Sequence, residues 1–82
     1  MKPEEIITDE EIETVHSNAN FGEGITKRDV VKAALLKCAC GYYNGHTASQ
    51  ILKEHGLVTE KRMSVTKKGE KYLYAAFKFT NL

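Results

Sequence analysis

The apolar positions change period twice between Thr47 and Phe77, and the rest of the chain is read around that stretch. Ala48, Ile51, Leu52 and His55 stand at i, i+3, i+4 and i+7, which predicts a helix over about 48–55 with one inward stripe. Thr47 is the expected N-cap, with Gln50 as its partner three residues on. Gly56 closes that helix, and Leu57-Val58 leads out as a short strand. Thr59-Glu60-Lys61-Arg62 reads as a compact turn, after which Met63-Ser64-Val65 alternates inward, outward, inward. A hairpin over about 57–65 follows. Thr66 then caps a last helix over about 67–78, with Tyr72, Leu73, Ala76, Phe77 and Phe79 on its buried side. Lys67, Lys71, Tyr74 and Lys78 form its outer stripe.

Two helices precede this stretch. Thr8-Asp9-Glu10-Glu11 fits a capping box opening a helix over about 9–17. Ile12 and Val15 are its main apolar contacts, joined by Ile6 and Ile7, and Ser17-Asn18-Ala19-Asn20 ends it. Phe21 is expected to tuck into the core, with a turn at Gly22 and Gly24. Thr26 and Asp29 mark the start of a helix over about 27–40. Its middle is apolar almost all round (Val30, Val31, Ala33, Ala34, Leu35, Leu36), so it is the expected core helix. Gly41 suits the position after its end, Tyr42-Tyr43 reads as loop, and Asn44-Gly45 reads as a tight turn. The fold class is therefore mainly α with a small β-hairpin. With 82 residues the chain has room for one domain and one modest core.

Charge changes the picture more than composition does. The formal net charge is only +1, but residues 1–24 carry seven acids against Lys2, and residues 25–82 carry eleven bases against four acids. An acidic arm precedes a basic body. The basic body either offers a binding face or is neutralised by the arm. On the helix over 48–55, the face opposite the inward stripe presents His46, Ser49, Gln50 and Lys53, whose side chains can bond to base edges or phosphates. Lys61 and Arg62 at the turn, with Lys67 and Lys68 beyond it, complete a candidate nucleic-acid-binding set. The same residues also suit an ordinary solvated surface.

Other chemistry finds little footing. Cys38 and Cys40 flank one residue on a helix and point about 200° apart, whereas structural zinc sites favour two to four intervening residues. Buried or half-buried, reduced thiols are expected, and neither a metal nor another cofactor. His55, at the end of its helix, is expected to favour the negative end of the helix dipole. No phosphate-binding Gly-rich loop, metal-binding HExxH helix or G-x-S-x-G elbow is present, so no catalytic residues are assigned. No run of apolar residues is long enough for a membrane span, and the acidic MKPEEIITDEE start lacks the apolar core of a signal peptide, which points to the cytoplasm.

Gly56-Leu57-Val58, a brief charged hairpin and Val65-Thr66-Lys67-Lys68-Gly69-Glu70-Lys71-Tyr72-Leu73 together resemble the wing of winged-helix proteins. The likeness covers about residues 47–77. It implies a recognition helix around Ser49, Gln50 and Lys53 and a wing bearing Lys61 and Arg62, with DNA or a protein as the partner. A homodimer through Tyr74 and Phe79 would suit a DNA target. The chain departs from the pattern in the six residues, Gly41 to His46, between its helices, and in having only two arginines, Arg28 and Arg62. The whole chain, including ITDEEIE, NANFG and GYYNGHTASQIL, is also similar to small phage or prophage proteins of no established activity. That likeness implies a bacterial or phage origin and a regulatory or host-directed role.

Overall fold

In a computed structural model, residues 2–14 and 24–78 are described. They form five helices: α1 (Pro3–Ile6), α2 (Asp9–Thr14), α3 (Lys27–Ala39), α4 (His46–Glu54) and α5 (Lys67–Phe77). The protein is mainly helical. The expected tail of the helix over 9–17, the Ser17–Asn20 stop, and the placement of Val15, Phe21, Gly22 and Phe79 lie outside the described residues.

Three helix starts follow from short-range side-chain bonds. Thr8 and Glu11 exchange reciprocal bonds before α2, backbone N–H to carboxylate at 3.0 Å and backbone N–H to hydroxyl at 3.2 Å. Thr26 and Asp29 do the same at α3, each at 3.1 Å. Thr66 Oγ1 accepts from Gly69 N–H at 3.1 Å and donates to the Gly56 carbonyl at 2.6 Å. One hydroxyl thus joins the exit of α4 to the entry of α5.

The start of α4 differs from expectation. Its N-cap is Gly45, without a side-chain cap, and Thr47 lies inside the first turn. Asn44 explains the shift. Its side-chain amide donates to the Ala34 carbonyl at 3.0 Å and to Cys38 Sγ at 3.3 Å, so the chain is fixed against α3 before Thr47 is reached. Gly45 follows in an extended conformation, φ −68° and ψ 168°, and no tight turn forms at Asn44-Gly45.

The expected hairpin over 57–65 is reduced to one antiparallel bridge, Val58 to Val65. Thr59 N–H donates to Ser64 O at 2.8 Å and Thr66 N–H to Leu57 O at 2.9 Å. These bonds flank the valine pair, which is therefore a non-hydrogen-bonded pair with closely approaching side chains. Met63 has φ 55°, a left-handed conformation that breaks the strand just before Val65.

α3 packs against α2, α4 and α5, and α1 packs against α5. The core comprises Ile7, Ile12, Val31, Ala34, Leu35, Ile51, Leu52, Leu57, Val58 and Tyr72. Fully burying a side chain such as Leu35 or Ile51 contributes about 1.5–3 kcal/mol relative to exposure. The apolar girth of α3 is narrower in use than in sequence, because Leu36, Ala33 and Ala39 are exposed. On α5, Ala75 and Gly69 are buried along with Tyr72, while Leu73, Ala76 and Phe77 are half-buried. Lys32 Nζ lies 4.7 Å from the Phe77 ring centroid, a cation–π contact between α3 and α5.

Arg28 and Lys27 fasten the acidic segment. Arg28 Nη2 donates to the Ile7 carbonyl and to Asp9 Oδ1, both at 2.8 Å, and Nη1 donates to the Tyr72 hydroxyl at 3.1 Å. Lys27, only 6% exposed, donates to the Glu13 carbonyl at 2.9 Å and lies 3.7 Å from the Glu13 carboxylate. That places a cation at the carbonyl end of α2, where the helix dipole favours it.

Candidate functional site

α4, the loop after α3 and the turn after Val58 meet around a concavity of about 370 Å³. Ser49, Lys61 and Arg62 line it, together with Tyr42, Tyr43, Asn44 and Met63. None of its described lining residues is acidic. Lys61 and Arg62 are exposed and Ser49 is half-buried.

The loop carrying the tyrosines is tied at both ends. Gly41 takes φ 84°, a conformation that suits glycine after a helix. Tyr42 N–H donates to Lys37 O at 2.8 Å, and Asn44 holds the far end to Ala34. Between these anchors Tyr42 is 68% exposed and Tyr43 94% exposed. Lys61 and Arg62 come from a turn braced by Thr59, whose carbonyl accepts from Met63 N–H at 3.2 Å and whose hydroxyl accepts from Ser64 N–H at 3.1 Å.

The other residues of the candidate nucleic-acid-binding set fall elsewhere. Lys53 shares a face with Ser49, four residues on, and is half-buried. Gln50 is also half-buried, about 100° round the helix from Ser49. Lys67 and Lys68 are exposed at the start of α5 and do not line the concavity. Lys68 lies within electrostatic reach of Glu11 and His55, on the side of the acidic segment. From the sequence, Tyr42 and Tyr43 read only as loop. Their signal was two consecutive aromatics between Gly41 and Asn44-Gly45, in a segment with no apolar period to bury them.

A second concavity, of about 520 Å³, is lined by Glu10, Glu11, Thr14, Glu54 and His55. His55 is the C-cap of α4, but the helix dipole does not govern its charge. Burial, followed by the nearby Lys68, pushes its pKa below the ordinary value against the opposing pull of Glu11 and Glu54. Its Nε2 is enclosed with no hydrogen-bond partner. The carboxyl of Glu11 is held below the usual range, first by the Thr8 backbone N–H and then by the Thr8 hydroxyl.

Cys38 and Cys40 are free thiols; Cys38 is half-buried as expected, but Cys40, at the C-cap of α3, is exposed because the helix ends there and turns it away from the core. Burial pushes the Cys38 pKa up, against the hydrogen bond from Asn44, which leaves it a weak nucleophile. Among the described residues no group of three or more His, Cys, Asp or Glu side chains is placed to hold a metal ion. No helix among them is long and apolar enough to cross a membrane. Compared with known protein families, curated proteins and solved structures, the chain matches none.

Proposed function

We propose that the chain is a small, non-catalytic, winged-helix-like binding module that takes nucleic acid on the surface formed by α4, the Tyr42–Tyr43 loop and the Lys61–Arg62 turn. The supporting observation is that Ser49, Lys61 and Arg62, far apart in sequence, line one concavity with no acidic residue among its described lining. Phosphates are drawn to such a site by charge, and the serine and aromatic groups supply shorter-range contacts. The order of α4, Gly56, the Val58–Val65 bridge, the Thr66 cap and α5 supports the winged-helix-like build. A DNA-binding regulator is the role that the likeness to phage and prophage proteins suggests.

Mobility shift with labelled duplex and single-stranded oligonucleotides, at low and at moderate salt, tests this. Retardation at low salt that weakens as salt rises is expected. No retardation of any strand at low salt would remove nucleic acid from the proposal.

A second reading, a protein-interaction module for a host or phage protein, has its own support. Ile25 is 51% exposed and Leu36 43% exposed, and Tyr74 stands exposed on α5. Pull-down from a nuclease-treated bacterial lysate separates the two. A stoichiometric protein partner that survives nuclease treatment, with no oligonucleotide shift, favours the second.

A further inference from the structure

We infer that the nucleic acid is single-stranded and that Tyr42 and Tyr43 receive its unpaired bases by stacking; this rests on the nucleic-acid reading above and specifies its substrate class. Reading a duplex requires side chains that stand clear of the protein and reach into a groove. Of the α4 residues suited to that task, Ser49, Gln50 and Lys53 are half-buried, which leaves His46, at the first position of the helix, as the one that is exposed. Among the residues lining the concavity, the exposed side chains besides the two cations are aromatic. Tyr43 is almost wholly exposed, at 94%, and Tyr42 is 68% exposed.

Two phenol faces next to Lys61 and Arg62 match what a single strand offers and a duplex conceals. A single strand carries phosphates at each step and free base faces between them. Every base has a π-face that a tyrosine ring can stack on, so such a site binds with little sequence preference. The concavity beside the rings, at about 370 Å³, is within the size range of sites that take small planar ligands. The loop is also held before any ligand arrives. Tyr42 N–H is bonded to Lys37 O and the Asn44 amide to Ala34 O, so less freedom is lost on binding than from a loose loop. Tyr74 provides a contrast: it is 73% exposed on α5 but does not line this concavity.

Fluorescence anisotropy with labelled single-stranded DNA, single-stranded RNA (each about 12 nucleotides) and the corresponding duplex tests the inference at about 50 mM salt. Tighter binding of a single strand than of the duplex is expected, and an RNA or DNA preference identifies which source of strand the site favours. Tyr43→Ala should weaken single-strand binding roughly tenfold, while Tyr43→Phe, which keeps the ring, and Tyr74→Ala stay within about twofold of the parent. Because Tyr43 is solvent-facing, the variants should retain the parent's circular dichroism spectrum. Duplex binding as tight as single-strand binding, or single-strand binding unchanged in the Tyr42→Ala, Tyr43→Ala double variant, overturns the stacking site and leaves the broader nucleic-acid reading standing. Equal losses in Tyr43→Ala and Tyr43→Phe also overturn it, since the hydroxyl and not the ring would then be the contact. Absence of binding to every strand overturns both.

Discussion

At the scale of single residues, His55 shows burial overruling a local rule. A histidine at a helix C-terminus is usually stabilised as a cation by the carbonyl end of the dipole. Here the ring is enclosed, its Nε2 lacks a partner, and Lys68 is the nearby charge that adds most to the effect of burial. Its folded pKa is therefore below the ordinary 6.5 that it has in the unfolded chain. Above that value neither state holds the proton and His55 carries no penalty. As pH falls from there towards the lowered folded value, the unfolded chain takes up a proton that the folded chain refuses, and stability is lost. Thermal unfolding followed by circular dichroism between about pH 7 and pH 5 should show the melting temperature of the parent falling more steeply than that of His55→Gln. Residue-level contacts also mark where sequence is readable. Thr8 with Glu11, Thr26 with Asp29 and Thr66 with Gly69 were legible because each pair is three residues apart, and the backbone alone brings it together. The bonds of Arg28 to Ile7 and to Tyr72 span 21 and 44 residues. No local pattern encodes those partners.

At the scale of elements, the joint between α4 and α5 is set by close backbone approach. Gly69, in the first turn of α5, lies directly under the Leu57 carbonyl. A Cβ built on it would overlap that oxygen and lie 2.7 Å from Val65 Cγ1. In an exposed helix Gly→Ala would stabilise by about 1 kcal/mol. Gly69→Ala should do the opposite, destabilising by about 1–3 kcal/mol because the obstruction is backbone and not a yielding side chain. Urea unfolding followed by circular dichroism measures the sign and the size. The sequence marked Gly69 only as part of a helix start, since burial of a glycine leaves no apolar signature. The same limit applies to the hairpin. Alternation at Met63-Ser64-Val65 was visible, but Thr59, Met63 and Ser64 close a tight loop among themselves, and this leaves a single paired position.

At the scale of the whole molecule, charge is sorted by side. The acids of α2 meet Arg28, Lys27 and the His55 concavity, while Lys61 and Arg62 sit among tyrosines. The near-neutral total of +1 conceals this arrangement. The sequence revealed the charge imbalance along the chain but not its placement, which depends on Arg28 and Lys27 folding back onto α1 and α2. It likewise separated Ser49 from Lys61 and Arg62 by a dozen residues that the fold removes, and it grouped Lys68 with them although the fold turns that lysine towards Glu11. If the basic side binds phosphate, Lys61→Glu with Arg62→Glu should weaken binding to all strands and reduce the slope of log K against log salt by about 1.4 for a single strand and about 1.8 for a duplex. A titration series at several salt concentrations reads that slope directly.

Asn44 joins these scales and introduces a chemical liability. Asparagine followed by glycine is among the most thermolabile steps in a polypeptide, because the glycine N–H can attack the side-chain amide and release ammonia. In the folded chain that amide is held by the Ala34 carbonyl and Cys38 Sγ. Ageing at this step is thereby coupled to local opening of the loop between α3 and α4. Once water has opened the resulting cyclic imide, the residue would bring a carboxylate to the Ala34 carbonyl and to the edge of a concavity with no acid among its described lining. Slow covalent damage would release the tyrosine loop and lower the local positive charge in one event, so the protein's shelf life and the binding proposed for this face share one side chain.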